Sequence, residues 1–350
     1  MSLKKTVLLG MSGGTDSSVA AMLLMEAGYC VTGVTFRFWD CCPDEPEYLK
    51  DAADLARRLG IEHFVFDCRD LFRREIVDYF VSEYMSGRTP VPCVRCNNLL
   101  KWPLLKDLAD ERGIELIATG HYAKLDKIDG LTYIREGLDR DKDQSFFLWG
   151  LKQDVLDRMI LPLGDFSKNE VREFARARGF ARVADKKDSV GVCFCQDDYR
   201  PFLQKRMRGS SLIRQGSFID SRGAFLGRHK GYPFYTVGQR RGLGVNFAVP
   251  MFVKEIVPQD NIVVLATEDE LYKEDMLLTE WNVTNQKVVF DSERVRVKIR
   301  YKKQHDYGKV SLLDDGRLKV IFERPVSAVA PGQAACFYVG DRVVGGGIIV

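Results

Sequence analysis

Nine cysteines are spread over the 350-residue chain, and four of them form two close pairs. Two residues separate Cys93 from Cys96, and one residue separates Cys193 from Cys195. Thiols at such spacing serve as metal ligands or as nucleophiles that carry sulfur. Because C-x-C suits tetrahedral zinc less well than C-x-x-C, the spacing favours sulfur chemistry but leaves a four-thiolate metal site open. For sulfur chemistry, Arg95 beside Cys96 would lower the pKa of that thiol and raise its thiolate fraction.

The stretch Gly10–Ser18, with the sequence GMSGGTDSS, is a second candidate for chemistry. It follows an apolar run and precedes a helical pattern, so we expect it to join a buried strand to a helix N-terminus. Backbone N–H groups and the helix dipole make such a turn an anion site, and its glycines let a phosphate approach. Three serine hydroxyls could donate further hydrogen bonds: Ser12, Ser17 and Ser18. Asp16 would repel a phosphate unless it holds Mg²⁺ or anchors the loop. The stretch is neither a Walker A loop nor GxGxxG.

Strands and helices alternate around these residues. We expect strands at residues 6–9, 29–38, 63–67 and 115–118, and helices from residue 17, at 46–59 and 71–85, from about residue 98, and at 169–178. This alternation predicts an α/β fold with a doubly wound parallel sheet, whose ligands lie at the carboxyl ends of the strands. The glycine loop and residues 119–122 would then face the same crevice.

Beyond about residue 205, short runs rich in Val, Ile, Phe and Tyr alternate with turn residues, which indicates small β-rich domains. We therefore predict a catalytic domain at residues 1–204, a small central β-rich domain at 205–280 and a C-terminal β-barrel domain at 281–350. Residues 200–242 hold ten Lys or Arg against one Asp, which suits a polyanion partner or a solvated linker. Residues 294–300 alternate cations with apolar residues, as in a half-buried strand with a basic face.

The sequence shows no sign of a membrane or export segment. No apolar run is long enough to span a membrane, and the run after Lys4 and Lys5 is too short for a signal peptide. We therefore expect a cytoplasmic protein without a membrane partner, whose cysteines are reduced when they are not in catalysis.

The loop, the paired thiols and the basic β-rich tail together resemble the bacterial tRNA-specific 2-thiouridylases, members of the N-type ATP pyrophosphatase or PP-loop superfamily. The resemblance runs over nearly the whole chain and is carried by these stretches: GMSGGTDSS, TPVPCVRCNN, ATGHYA, DKDQSFFL, KKDSVGVCF, GRHKGYPFYTVGQRRGLGV, APGQAACFY and GGGII. It implies a sheet like that of the adenine nucleotide alpha hydrolases, followed by two small β-rich domains, the last a β-barrel.

The resemblance implies a sulfurtransferase that uses ATP and Mg²⁺. ATP would adenylate the 2-carbonyl oxygen of the wobble uridine in the tRNAs for Lys, Glu and Gln. A persulfide sulfur would then replace that oxygen, giving 2-thiouridine with release of AMP and pyrophosphate. The implied partners are the anticodon stem-loop of tRNA and, as persulfide donor, a cysteine desulfurase or a sulfur-carrier protein.

The resemblance also implies roles for particular residues. Cys193 would carry the persulfide, and Cys96 would be the second thiol, forming a disulfide with Cys193 as sulfur is released or otherwise assisting transfer. The implied ATP site comprises Gly10, Met11, Ser12, Gly13, Gly14, Thr15, Asp16, Ser17, Phe36 and Gly120. The implied contacts to the target base are Val91, Pro92 and Cys93, and those to the rest of the tRNA are His121, Lys142, Asp143, Gln144, Arg300, Tyr301 and Gln333. The base must leave the anticodon stack to reach the nucleotide pocket.

Two positions depart from many relatives. Cys93 stands where they have an aspartate thought to handle a proton, and a thiol is a weaker base at neutral pH. Either Cys93 ionises in this pocket or another group, such as Asp188, does the work. Val91 stands where relatives have asparagine, so that base contact would go through the backbone.

Two other functions stay open at this point. A PP-loop synthetase that adenylates a small-molecule acceptor would explain the glycine loop but not the cysteines or the basic segment. A zinc-containing RNA-binding protein would use the paired thiols as ligands but would leave the loop without a purpose.

Overall fold

The computed structural model describes residues 4–40, 46–186, 191–195, 198–209, 213–301 and 305–350. Its strands are β1 (Thr6–Gly10), β2 (Cys30–Arg37), β3 (Glu62–Asp67), β4 (Leu116–Thr119), β5 (Ala123–Ile128), β6 (Leu131–Glu136), β7 (Met159–Ile160), β8 (Gly216–Asp220), β9 (Phe225–His229), β10 (Phe252–Val257), β11 (Ile262–Ala266), β12 (Tyr272–Val283), β13 (Val295–Lys298), β14 (Asp306–Leu312), β15 (Leu318–Ser327), β16 (Ala334–Val339) and β17 (Arg342–Ile349). Its α-helices are α1 (Thr15–Glu26), α2 (Glu47–Leu59), α3 (Arg69–Phe72), α4 (Asp78–Met85), α5 (Pro92–Arg95), α6 (Trp102–Glu111), α7 (Gln153–Leu156), α8 (Lys168–Ala177), α9 (Ala181–Ala184), α10 (Tyr199–Arg206) and α11 (Gln286–Phe290). Two π-helical turns span Arg73–Val77 and Cys96–Lys101.

The chain divides into two compact units, and each unit draws on separate stretches of sequence. The first unit takes the ranges Met1–Glu75, Cys93–Gln196 and Gly340–Val344, and the second takes Ile76–Pro92, Asp197–Val339 and Gly345–Val350. Residues 76–92, which the sequence places in the catalytic domain, therefore belong to the second unit. The three-domain division stays a prediction.

The first unit is built on a parallel sheet with the strand order β3-β2-β1-β4-β7. β1 lies at its centre, and Val7, Leu8 and Leu9 are fully buried because helices cover both faces. The strand order reverses at β1, which pairs with β2 on one side and with β4 on the other. The crevice at this switch point is where such sheets bind ligands. The predicted doubly wound α/β fold is confirmed.

Several element boundaries differ from the sequence prediction. α1 begins at Thr15, two residues before the predicted start. The single helix predicted at residues 71–85 is instead α3, a π-helical turn and α4, and the border between the units falls inside the turn, at Glu75. The hairpin of β5 and β6 was missed, although Asp129 and Gly130 carry the Asp-Gly signal of a tight turn and both have positive φ.

Beyond residue 205 the described chain is mostly β structure, as predicted, while α4, α10 and α11 also belong to the second unit. β10, β11, β8 and β9 form a four-stranded sheet in that order. β12, β15, β14, β13, β16 and β17 form a barrel that closes through the pairing of β12 with β17. β12 runs through residue 280, so the barrel begins ahead of the predicted boundary. The half-buried strand is confirmed, since Val295 and Val297 are fully buried while Arg296 lies over the Tyr338 ring at 4.6 Å.

None of the helices in the described parts of the chain is both long and apolar enough to cross a lipid bilayer.

Candidate active site

The glycine loop connects the end of β1 to the start of α1. Gly13 has φ +67°, and a Cβ on it would lie 2.7 Å from the carbonyl oxygen of Tyr48 and 3.0 Å from the backbone nitrogen of Ala52. Only glycine fits this position, because the loop packs directly against the first turns of α2. Ser12 is exposed beside it, and its hydroxyl shares a 3.3 Å hydrogen bond with that of Ser17.

Hydrogen bonds within the loop fix its shape. The Ser17 hydroxyl accepts from the backbone N–H of Ser12 at 3.1 Å, and the Ser18 hydroxyl donates to the Gly14 carbonyl at 2.7 Å. Ser18 is fully buried, so the expectation that it donates to a phosphate is wrong. Gly14 is the N-cap of α1 and provides no side-chain cap, so the N–H groups of the first helical turn remain suited to an anion.

Asp16 anchors the loop to two other parts of the first unit. Its Oδ1 accepts hydrogen bonds from the Tyr122 hydroxyl and the Lys168 ammonium, both at 2.7 Å. No described residue donates to Oδ2. Asp16 therefore anchors the loop, one of its two expected roles, and keeps an oxygen that could also hold Mg²⁺ together with phosphate oxygens and waters.

Sequence reasoning missed the lysines that hold this loop. Lys186 donates to the Gly13 carbonyl at 2.6 Å and pairs with Asp51 of α2. The Thr15 hydroxyl donates to the Val183 carbonyl at 2.6 Å. Lys186 opens the KKDS stretch quoted above and could have been suspected, but nothing local to Lys168 marks it as a partner of Asp16.

The segment after β4 closes one side of the crevice. A Cβ on Gly120 would lie 2.7 Å from the backbone carbon of Asp16 and 2.8 Å from the nitrogen of Ser17, so two backbone segments touch here. Phe36, at the end of β2, is buried and stacks on Phe38 with ring centroids 5.4 Å apart. The predicted nucleotide residues thus come together around the switch point of the sheet, with Met11 buried beneath them.

His121, which follows Gly120 directly, is buried. Its Nδ1 shares a 2.5 Å hydrogen bond with the Thr119 hydroxyl, and its ring lies 5.8 Å from that of Trp102. Burial lowers the pKa of His121 to about 3, so the imidazole is neutral at physiological pH. In this structure His121 is not placed for a direct ionic contact with a phosphate.

Residues 142–144 brace a neighbouring turn. Asp143 is buried and accepts from the Gly137 N–H and the Ser145 hydroxyl, each at 2.9 Å. The Gln144 side-chain oxygen accepts from the Tyr122 N–H at 3.0 Å. Lys142 is half-buried. Two of these three predicted tRNA contacts therefore use their side chains to hold the protein backbone.

Cys96 lies at the start of a π-helical turn, and its thiol is buried. Burial raises the pKa of Cys96 to about 11, and the positive charge of Lys101 offsets this only in part. Arg95 turns away, because its Nε donates to the Glu75 carbonyl at 3.0 Å. The expectation that Arg95 lowers the pKa of Cys96 is therefore wrong. Burial also raises the pKa of Cys93, so Cys93 does not ionise near neutral pH, and Asp188, the alternative proton acceptor, lies outside the described residues.

Cys193 sits at the tip of a tight turn in which the Cys195 N–H donates to the Val192 carbonyl at 2.8 Å. The next residue, Phe194, is buried and packs edge-on against the rings of Trp39 and Phe72, at 6.2 and 5.8 Å. The turn is thus pinned by one aromatic side chain while Cys193 stays exposed.

The two cysteine pairs belong to the same unit, and the Cys193 thiol responds to charge on the first pair. Although Cys193 is exposed as a residue, the protein around its thiol disfavours the thiolate and raises the pKa to about 12, and negative charge on Cys96 or Cys93 would raise that pKa further. All described cysteines are free thiols, so the disulfide between Cys96 and Cys193 implied by the resemblance is not supported.

The described residues include no group of three or more His, Cys, Asp or Glu side chains that could hold a metal ion. The four-thiolate alternative therefore gains no support from this part of the chain.

The other predicted tRNA contacts belong to the second unit. Val91 and Pro92 are buried, and Gln333 is a hydrogen-bond donor to the same segment of chain. Arg300 is exposed, and its guanidinium reaches the Ala328 carbonyl at 3.2 Å. Tyr301 follows directly after Arg300 and is half-buried.

The chain matches three family models along its length. A tRNA methyl transferase HUP domain matches residues 5–197, a tRNA methyl transferase PRC-barrel domain matches residues 200–267, and an aminomethyltransferase beta-barrel domain matches residues 273–349.

Two curated relatives are similar to this chain over nearly its whole length. The tRNA-specific 2-thiouridylase MnmA 2 of Phocaeicola vulgatus is 55% identical over 344 residues, which cover 98% of this chain and 97% of that protein. The tRNA-specific 2-thiouridylase MnmA 1 of Bacteroides fragilis is 53% identical over 358 residues, which cover 100% and 98%. A solved 4-thiouridine synthetase–RNA complex with bound ATP matches 55% of this chain and 45% of that chain, with 20% identity and a TM-score of 0.40.

Proposed function

The chain belongs to the tRNA-specific 2-thiouridylase family, and from that premise we propose that it is a tRNA sulfurtransferase that adenylates the 2-carbonyl oxygen of the wobble uridine and replaces it with sulfur. One observation carries this proposal. The unit that holds the glycine loop at its sheet switch point also contains Cys193, Cys96 and Cys93, and charge on Cys96 or Cys93 would act on the Cys193 thiol. A small-molecule synthetase would need the loop but has no use for these thiols.

The nucleotide step rests on the loop and its anchors. The first-turn N–H groups of α1 and the exposed Ser12 are suited to the phosphates of ATP, with Phe36 and Gly120 completing the pocket. Asp16 would hold Mg²⁺ through Oδ2, and the ion would neutralise phosphate charge. Adenylation matters because a carbonyl oxygen is a poor leaving group, whereas AMP is a good one.

The sulfur step rests on the cysteines. The terminal sulfur of a Cys193 persulfide attacks C2 of the adenylated uridine, and AMP leaves. The sulfur is then freed when a second thiol, a role that we assign to Cys96, attacks Cys193 Sγ and breaks its bond to the transferred sulfur. This step leaves a transient disulfide that an external thiol reductant must reduce before the next turnover. Because the pKa of Cys93 is raised by burial, Cys93 acts as a neutral hydrogen-bond donor and not as a base.

The substrate is tRNA, and the proposed tRNAs are those for Lys, Glu and Gln. Val91, Pro92 and Cys93 would line the target base, and Lys142, Arg300 and Tyr301 would contact the anticodon stem-loop. Gln333 would act through the Thr89–Pro90 segment that its side-chain amide holds. His121, Asp143 and Gln144 would act indirectly, because their side chains are engaged inside the protein. The basic segment 200–242 suits the phosphate backbone. We propose a cytoplasmic enzyme that takes sulfur from a cysteine desulfurase or a sulfur-carrier protein.

The test is to incubate the protein with ATP, Mg²⁺, cysteine with a cysteine desulfurase, and bulk tRNA, and to analyse the nucleosides by mass spectrometry. We expect 2-thiouridine derivatives that require every component. A parallel reaction with S-adenosylmethionine in place of the sulfur donor tests methyl transfer, the activity named by two of the family models. Methylated or 4-thiolated nucleosides, or AMP formation that needs no tRNA, would contradict the proposal.

A further inference from the structure

The segment Ile76–Pro92 leads directly into the Cys93–Cys96 stretch, yet it is packed within the second unit. Its first two attachments come from the small β-sheet region. The Tyr232 hydroxyl donates to the Met85 carbonyl at 2.6 Å. Gly87 has φ +72°, and a Cβ on it would lie 2.6 Å from a ring carbon of Pro258. The chain is thus held tightly before it reaches its prolines.

The barrel holds the end of this segment. The N–H of Thr89 donates to the Pro331 carbonyl at 2.8 Å. The Gln333 side-chain amide donates to the carbonyl oxygens of Thr89 at 3.0 Å and of Pro90 at 3.2 Å. Because Pro90 has no N–H of its own, carbonyl acceptors are the main polar groups this part of the segment offers. Gln333 satisfies two of them at once.

The backbone that carries the Gln333 side chain is itself held by β17. The backbone carbonyl of Gln333 accepts from the N–H of Ile349 on β17, and the Gly332 N–H donates to the Ile349 carbonyl, both at 2.8 Å. Gly332 has φ +88°, and a Cβ there would lie 2.8 Å from the Thr89 carbonyl oxygen. Close backbone contact therefore accompanies the hydrogen bonds.

We infer that Gln333 is a positioning residue that fixes the entry of α5, and through it the thiols of Cys93 and Cys96, for sulfur transfer. This inference rests on the proposed function. α5 begins at Pro92, two residues after the carbonyl that Gln333 holds, and Cys96 is four residues further on, about 6 Å along a helix. A shift at Pro90 therefore carries to the second thiol. The amide nitrogen is engaged within the chain, so any RNA contact at this side chain falls to its Oε1.

The test compares Gln333→Glu and Gln333→Met with the matched control Gln286→Glu, an exposed glutamine at the start of α11 in the same unit. Both Gln333 variants keep the side-chain length but lose the donor. We expect trypsin to cut the Arg88–Thr89 bond about tenfold faster in both, because the segment is released from the barrel. Cutting in the control variant should match the unaltered protein.

The second measurement is single-turnover thiolation at saturating tRNA. We expect the rate to fall about tenfold in both Gln333 variants, with Kd for tRNA within about twofold, because the thiol is displaced while the tRNA surface is unchanged. An unchanged cleavage rate at Arg88 with a weakened Kd for tRNA would overturn the inference and make Gln333 a direct tRNA contact. The proteolysis needs neither ATP nor tRNA, so its result stands even if the unaltered protein forms no 2-thiouridine.

Discussion

The glycine loop and the cysteine segments of the first unit, Cys93–Cys96 and Cys193–Cys195, differ in how completely the surrounding protein preorganises them. In the loop, Asp16 accepts two hydrogen bonds from distant side chains, and Lys186 holds the Gly13 carbonyl. In the cysteine segments, Phe194 packs the Cys193 turn against Trp39 and Phe72, and the surroundings of both Cys193 and Cys96 disfavour the thiolate.

This difference indicates that the two halves of the proposed reaction would obtain their reactivity from different sources. Oxygen activation would draw on a preorganised backbone cradle, which stabilises charge with little rearrangement. Burial raises the pKa of Cys96 and of Cys193, which favours their protonated forms at neutral pH. In the proposed reaction the reactive sulfur would therefore be supplied by the persulfide donor.

The largest expected effect comes from removing Cys193, the proposed sulfur carrier, alone. In Cys193→Ser, tRNA thiolation should fall more than about a thousandfold, whereas tRNA-dependent pyrophosphate release should stay within about threefold of the unaltered protein. Nucleoside mass spectrometry and a pyrophosphate assay measure the two steps. The control Cys30→Ser removes an exposed thiol from β2 and should leave both steps unchanged. Full thiolation by Cys193→Ser would remove the persulfide role from that residue.

A second prediction concerns the pKa of Cys193. With a pKa of about 12, its thiolate fraction at pH 8 is about a thousandfold lower than that of a free thiol with pKa about 8.5. Alkylation by iodoacetamide should be about a hundredfold slower than in a peptide of residues 191–195, because the greater nucleophilicity of a more basic thiolate offsets part of the lost thiolate fraction, and should rise about tenfold per pH unit between pH 7 and 9.5. Quantifying the modified peptide by mass spectrometry measures both. A rate that levels off near pH 8 would show that the Cys193 thiol ionises readily. Cys193 would then be as well prepared for its step as the glycine loop is.

A third prediction concerns the glycine loop, the more fully preorganised of the two regions. Asp16→Asn keeps the side-chain shape but removes the charge that pairs with Lys168 and could hold Mg²⁺. We expect tRNA-dependent pyrophosphate release to fall about a hundredfold, and thiolation to fall with it, because adenylation comes first. Asp54→Asn, which breaks an exposed ion pair with Arg57 on α2, should change neither step. Loss of thiolation with normal pyrophosphate release would separate Asp16 from the nucleotide.

The nucleotide side was also the more predictable from sequence. A strand, a glycine turn and a helix in succession fix a local geometry, so the loop follows from residues 6–26, and its place at the carboxyl ends of the strands follows from the alternation of strands and helices after it. The long-range partners of Asp16 could not be foreseen, because Tyr122 and Lys168 lie far along the chain and carry no local signal.

For the cysteine segments, prediction from neighbouring residues in the sequence failed for a physical reason. Arg95 is adjacent to Cys96 in sequence, but it lies on a helical turn that directs its guanidinium to Glu75, and burial then decides the pKa of the thiol. Adjacency in sequence does not give proximity of charge. The same limit hid the assignment of residues 76–92 to the second unit, since a hydrophobic periodicity does not say which body a helix packs against.

The smallest expected effect tests whether the packing of Phe194 positions the Cys193 turn for thiolation. Phe194→Ala removes the ring that packs against Trp39 and Phe72 and so loosens the Cys193 turn. Thiolation at saturating tRNA should fall about tenfold while pyrophosphate release is unchanged, because only the sulfur is misplaced. Phe194→Leu, which restores apolar packing, should recover most of the rate, and Phe225→Ala, at a side chain 61% exposed in the second unit, should change neither step. If Phe194→Ala thiolates at the full rate, the turn is positioned by the bound tRNA, and the sulfur side is even less prepared by the protein alone than the structure suggests.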